Sequence, residues 1–190
     1  VEHADHTSPS IYVKFPVQSG IPQGMTGLNN LSMVIWTTTP WTLPANLAVC
    51  LHPEFVYVAV SHGDDTFIVA EDLLSSLVAE WEMTDYKILG SCKGAEWENA
   101  VCRHPFIDRE SKVILGDHVT LEQGTGCVHT APGHGQDDYI VGLKYGLEPY
   151  NPVNNAGVFV PEVEHFGGMF VLKANPEIIE KLRQEGSLIL

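Results

Sequence analysis

Short, largely apolar runs bounded by Gly, Pro, Asn and Asp recur along this chain as strand candidates, and only a few stretches show a helical period. Strands are expected at 11–17, 31–38, 47–51, 55–61 and 66–70, with His62-Gly63-Asp64-Asp65 turning the last two into a hairpin. Shorter candidates follow at 86–89, 112–115, 119–121, 158–160 and 169–172. Residues 1–10 read as a polar lead-in, and the Gly, Pro and Asn of 19–30 read as a loop. The clearest helix is 71–81, where Leu73, Leu74, Leu77, Val78 and Trp81 form one apolar stripe and Glu71 and Asp72 suit the positive helix end. A second helix is expected from about 136 to 145, ended by Gly146. A third covers 176–185, with Asn175 as N-cap, Pro176 at its first position and Gly186 past its end. Many short strands with few helices predict a mainly β fold: a closed or nearly closed β-barrel with peripheral α-helices, because an open sheet this long would expose its edges. With no internal repeat, 1–190 is read as a single domain.

Composition narrows the compartment and the partners. An apolar content of 44% supports a real core, and no apolar run approaches the roughly 20 residues of a membrane helix. Val1-Glu2-His3-Ala4-Asp5-His6 has neither the basic start nor the apolar stretch of a signal peptide, so a soluble protein of the cytoplasm or an organellar matrix, with no membrane partner, is expected. Cys50, Cys92, Cys102 and Cys127 form no C-x-x-C pair and are read as reduced thiols. With 24 acidic against 10 basic side chains the net charge is -14, which repels phosphate backbones. Contact with nucleic acid must then be local, or held in place by other protein.

Candidate chemistry gathers in two segments. The first is Trp36-Thr37-Thr38-Thr39-Pro40-Trp41-Thr42-Leu43-Pro44-Ala45-Asn46. A threonine run alone is an ordinary strand. Here, however, three successive hydroxyls cannot all point outward in a period-two strand, and Pro40 and Pro44 forbid continuation of the ladder. The strand must break at the threonines and leave their amides and hydroxyls available. The second segment runs Gly124-Thr125-Gly126-Cys127-Val128-His129-Thr130-Ala131-Pro132-Gly133-His134-Gly135-Gln136-Asp137-Asp138-Tyr139. Its glycines allow close backbone approach, and His129 and Asp138 flank a turn and a helix start, so both can face one cavity. Asp137 is read as a helix-stabilising residue. His129, His134, Asp137 and Asp138 also invite a metal reading, but Pro132 and Gly133 interrupt the spacing and no thiolate pair supports it, so no metal is assigned. Gly90-Ser91-Cys92-Lys93-Gly94 imitates a nucleophile elbow, yet lacks the following helix and the β-α-β repeat, and is read as a turn with an incidental thiol.

At these two segments the chain resembles the editing domain of the isoleucyl-tRNA synthetases, an insertion in the catalytic domain of class I aminoacyl-tRNA synthetases. Thr39-Pro40-Trp41 and Val128-His129-Thr130-Ala131-Pro132-Gly133-His134-Gly135 are the isoleucyl form; the leucyl and valyl enzymes usually place Arg-Pro after two threonines. The likeness runs from Thr7-Ser8-Pro9-Ser10-Ile11 to the last helix and leans bacterial or organellar. It implies a β-barrel with peripheral helices that cleaves the ester of mischarged valyl-tRNA(Ile) at the terminal adenosine, with valyl-adenylate as a further substrate. A methylene is worth too little for an apolar pocket to reject valine when isoleucine is wanted, the standard illustration of double-sieve editing.

By this resemblance Asp138 binds the substrate's α-ammonium, and Thr37, Thr38 and Thr39 surround the ester, the terminal ribose and the attacking water. Trp41, Thr42 and His129 shape the side-chain pocket, Asn46 takes a lesser part, and His129 is not taken as the general base. The implied partners are the 3′ end of mischarged isoleucine tRNA, its valine moiety and the remainder of the synthetase. No H-I-G-H or K-M-S-K-S signature occurs, so ATP and magnesium belong to the parent synthetic site and no cofactor is expected in this domain. The alternative is a recognition module that binds the mischarged end and hydrolyses only within the full-length enzyme.

Overall fold

In the computed structural model, which describes residues 10–189, β1 (Ile11–Ser19) is the strand on which two half-sheets meet. Its first part pairs antiparallel with β2 (Leu31–Thr37), and its end pairs with β7 (Val101–Arg103) after a register shift between Val17 and Ser19. Pro16, which has no amide hydrogen to donate, precedes the changeover. On one side of β1 lie β2, β5 (Asp65–Ala70), β4 (Val56–His62) and β6 (Lys87–Lys93). On the other lie β7, β8 (Glu110–Leu115), β3 (Ala48–Leu51) and β9 (Cys127–Thr130). The β4–β5 hairpin forms where the Gly63 turn predicts it, whereas β2–β5 and β3–β8 are parallel pairs. Residues 1–9 of the 1–10 polar lead-in, with Thr7-Ser8-Pro9 of the family likeness, lie outside the described residues.

The mixed sheet with peripheral helices agrees with expectation; the closed barrel does not. The strand order begins at β6 and ends at β9, and no ladder joins them. Where β9 comes back toward β2 and β5, single hydrogen bonds replace a ladder: Thr125 Oγ1 donates to the Val34 carbonyl, and the Ala70 amide donates to the Thr125 carbonyl at 2.8 Å. Gly124 and Gly126, at φ +85° and +84°, turn the chain out of extended geometry on either side of Thr125, so no strand can run there. At the opposite edge β6 is covered by the 3₁₀ turn Gln23–Met25, packed so closely that a Cβ at Gly90 would lie 3.1 Å from the Gly24 carbonyl oxygen.

Other local readings are corrected by tertiary context. Residues 90–93 continue β6 instead of turning; Cys92 pairs opposite Tyr57, and burial pushes its thiol up to about 11, the reverse of an activated nucleophile. Residues 119–121 form no strand; 158–160 and 169–170 contribute only the isolated bridges Val153–Phe159 and Val158–Phe170, and Val171 and Leu172 already belong to a helix. The first expected helix is split into a 3₁₀ turn, Glu71–Leu73, and α1 (Leu74–Glu80). Helix α2 (Gln136–Lys144) falls as expected, and Gly146 beyond it is at φ +70°. Helix α3 (Val171–Gln184) starts at Phe170 as N-cap, so Pro176 sits inside it and Asn175 is not a cap; Gly186 does end it, at φ +71°. The core holds Phe15, Tyr57, Trp97 and Phe159, together with Ala174, Ile178 and Leu182 of α3. Each large apolar side chain so enclosed contributes about 1.5–3 kcal/mol. Helix α3 packs against the 3₁₀ turn Pro40–Ala45, which carries one half of the site. All four cysteines are buried free thiols, and no helix among the described residues is long and apolar enough to cross a membrane.

Candidate functional site

The threonine segment behaves as its prolines require. β2 stops at Thr37, Thr39 turns to φ -127°, ψ 72°, and Pro40 opens the 3₁₀ turn at its first position, where a missing amide hydrogen costs nothing. The Thr39 amide donates to Thr37 Oγ1 at 3.1 Å, and the Thr42 amide and hydroxyl both donate to the Thr39 carbonyl, at 2.9 and 2.8 Å. The carbonyls at the end of the turn are taken by side chains from the 104–111 segment. His104 Nε2 donates to Leu43 O at 2.7 Å while its Nδ1 accepts the Phe106 and Ile107 amides; Arg109 donates to Pro44 O and Asn46 O at 2.7 and 2.9 Å. Burial drives the His104 pKa down to about 3, so it is a neutral strut.

The second half arrives on β9 and α2. β3 lies between β8 and β9, which sets His129 opposite Val49 and beside Asn46 and Thr42. Asp138 stands in the first turn of α2 and accepts the Ala131 amide at 3.0 Å through Oδ2. Burial raises its pKa, with the Ala131 hydrogen bond opposing, and among the described residues no cation pairs with it. Room for the carboxylate depends on Gly135, where a Cβ would lie 3.2 Å from Asp138 Cγ.

Together these residues enclose a cavity of about 180 Å³ lined by Trp36, Thr37, Thr39, Thr42, Val128, His129, Ala131, His134 and Asp138. That is well below the roughly 300–1,000 Å³ of drug-sized sites and of the order an amino-acid moiety needs. A second cavity of about 250 Å³, lined by Gly124, Thr125 and Gly126, adjoins it across Trp36 and Val128. A cavity of about 450 Å³ beside Lys14 and Asp65 shares no residue with either.

The structure thus brings Thr37, Thr39, Thr42, His129 and Asp138 to one cavity. Thr38 is exposed and does not line it; Trp41 stands behind it, edge-on to His134 at 5.5 Å; Asn46 is fully buried behind His129. Sequence reasoning left His134 and Trp36 without roles. The signal for His134 was the tight Pro132-Gly133 turn, which returns the chain so that a second imidazole faces the same space. Burial lowers the His134 pKa, and its Nε2 has no hydrogen-bond partner.

Hydrogen bonds through His129 run in one direction. Ser111 Oγ donates to Asn46 Oδ1 at 2.7 Å; Asn46 Nδ2 donates to Ala48 O at 2.9 Å and to His129 Nδ1 at 2.7 Å. His129 Nε2 then meets Thr42 Oγ1 at 2.9 Å, whose own hydrogen is committed to the Thr39 carbonyl. Both imidazole nitrogens are therefore occupied, and desolvation, with His134 nearby as a lesser cause, lowers the His129 pKa to about 4. A ring so held offers no lone pair to an attacking water.

No protein-family model matches the chain. By fold it superposes on the crystal structure of GlLeuRS-CP1 with TM-score 0.76 over 96% of this chain and 98% of that one, at 16% identity. On the P. falciparum cytosolic leucyl-tRNA synthetase editing domain the TM-score is 0.68, over 94% and 97%, at 12% identity. The architecture is that of the aminoacyl-tRNA synthetase editing domains. Over its whole length the chain is 55% identical to the isoleucine–tRNA ligase of Syntrophotalea carbinolica and 52% identical to that of Thioalkalivibrio sulfidiphilus. It belongs to the isoleucine–tRNA ligase family and spans 21% of the length of each of those two relatives.

Proposed function

We propose that residues 1–190 form a single editing domain that hydrolyses valine mischarged onto isoleucine tRNA, cleaving the ester at the terminal adenosine, with valyl-adenylate as a second substrate. The observation that carries this reading is the Asp138 carboxylate, desolvated and without a cation among the described residues, facing two threonine hydroxyls across a cavity of amino-acid size. An α-ammonium supplies the missing charge, and charge-assisted hydrogen bonds are about twice as strong as neutral ones. With the ammonium anchored, the ester lies near Thr37 and Thr39, and the ribose and base extend past Trp36 toward the second cavity. Water adds to the ester carbonyl, the ribose oxygen leaves with a proton, and free valine and uncharged tRNA result. Because an aminoacyl ester is already activated, positioning the water and polarising the carbonyl carry the reaction, and His129 acts as wall, not base. The wall made by Thr42 and His129 is stiffened by its hydrogen bonds, as rejecting one additional methylene requires.

Deacylation of valyl- and isoleucyl-charged isoleucine tRNA by the native chain and by Asp138→Ala tests the reading. Selective valine release that the substitution abolishes is expected; equal release of both amino acids overturns it. The net charge of -14 favours a second reading, a recognition module that turns over only when the rest of the synthetase delivers tRNA. In that case the chain binds a non-hydrolysable valyl-adenosine analogue through Asp138 but releases no valine.

A further inference from the structure

We propose that Asn46 is a positioning residue that fixes His129 as the neutral Nε2–H tautomer, so that the imidazole presents a rigid donor to Thr42 and no acceptor to the cavity. The inference deepens the deacylase reading of the same cavity and rests on it for its kinetic consequence only. Asn46 is fully buried, and its amide has one allowed orientation. With Nδ2 toward Ala48 O and His129 Nδ1, and Oδ1 receiving Ser111 Oγ–H, every hydrogen and acceptor has a partner. Flipping the amide would press Oδ1 against the Ala48 carbonyl oxygen, acceptor on acceptor in a buried site, and would leave the Ser111 hydroxyl to find another partner.

Since Asn46 can only donate to Nδ1, the imidazole hydrogen must reside on Nε2, where Thr42 Oγ1 accepts it. Thr42 cannot reverse the assignment, because its own hydrogen goes to the Thr39 carbonyl. The backbone carrying Asn46 is itself held, by Arg109 on the Pro44 and Asn46 carbonyls and by His104 on Leu43. The assignment therefore originates outside the cavity, in the 104–111 segment behind it, and reaches the Thr37–Thr39 hydroxyls through His129 and Thr42. His134 and Asp138 are the titratable groups that share the cavity with His129.

The test is the protonation pattern of His129 in ¹⁵N-histidine-labelled chain at neutral pH, with the resonance assigned by its loss in His129→Gln. A single species with hydrogen on Nε2 and a bare Nδ1 is expected; exchange between tautomers, or hydrogen on Nδ1, overturns the proposal. The isosteric Asn46→Asp, which can only accept, should move hydrogen onto Nδ1. Thr42→Val, which removes the Nε2 partner but leaves Asn46, should keep the native pattern, and a switch there would show that Thr42 sets the tautomer instead. Deacylation by Asn46→Asp should fall about tenfold or more, by analogy with the partners that orient metal-bound histidines, through kcat with KM little changed. An unchanged tautomer in a folded Asn46→Asp chain refutes the assignment whether or not the chain deacylates tRNA.

Discussion

Asp138 accepts the Ala131 amide in the cavity, and its pKa is raised from the ordinary carboxylate value because desolvation outweighs that bond and the nearby His118. A carboxyl whose folded pKa is raised binds its proton more tightly in the native state than in the unfolded one, so native stability falls as pH rises through that window. Asp138→Asn should accordingly melt at a higher temperature than the native chain at neutral pH, and the difference should close as pH drops below the usual carboxylate pKa. Thermal unfolding across that range checks the sign. On the proposed function the same substitution removes the group that would hold the substrate's α-ammonium. Losing a hydrogen bond to a charged group costs about 1.5–3 kcal/mol, so valyl-tRNA deacylation should lose roughly ten- to hundredfold in kcat/KM. Tyr57 makes a complementary case in the core, where its hydroxyl donates to Gly126 O and accepts the His52 amide. Tyr57→Phe leaves both backbone groups unpaired and should cost about 1–3 kcal/mol by urea unfolding, with the cavity loosened because Gly126 leads into β9.

At the level of elements, Gly126 is where the sheet's shape is decided. Its φ of +84° suits glycine, and a Cβ there would lie 2.5 Å from the Ala70 Cβ. Gly126→Ala should destabilise the chain by about 1–3 kcal/mol and misplace β9, which deacylation and amide exchange at 127–130 would report together. The elements that could be read in advance are those whose periodicity is long and whose breakers are local. β1 and β2 are apolar runs of strand length ended by Gly, Pro and Asn, the β4–β5 turn has its Gly63, and α2 is bounded by glycines. β7 and β9 have three and four residues, too few for a period to register. The start of α3 was misread because Asn175-Pro176 imitates a helix entrance while tertiary packing begins the helix five residues earlier. Gly90 and Gly94 suggested a turn, but pairing with β4 holds those residues extended. Barrel closure depends on whether β9 finds a second ladder partner beyond β3, and the two glycines that prevent it at 124 and 126 were read only as allowing close backbone approach. For the candidate site, the two segments were legible as dense motifs, and the structure brings Asp138 with them to one cavity. The hydrogen-bond partner that completes Asn46 is 65 residues away in the chain and could not be seen from either motif.

Across the whole molecule, 10 basic side chains against 24 acidic ones leave little to attract an RNA backbone. If one or two cations meet the 3′ end, log affinity should fall with log salt at a slope of only about -0.7 to -1.4, as expected of single strands. Titrating valyl-tRNA at several salt concentrations checks this, and a much steeper slope would reveal a phosphate-binding track. The placement of β3 between β8 and β9 sets a further condition in time. Thr42 and His129 meet across 87 residues of chain, and Asn46 reaches His129 across 83. Closing loops of that span is slow, and a chain emerging from the ribosome displays its threonines long before β8 and β9 exist to stand beside them. The cavity is thus among the last features of the nascent domain to appear, and a half-made chain carries its threonines with neither His129 nor Asp138 beside them.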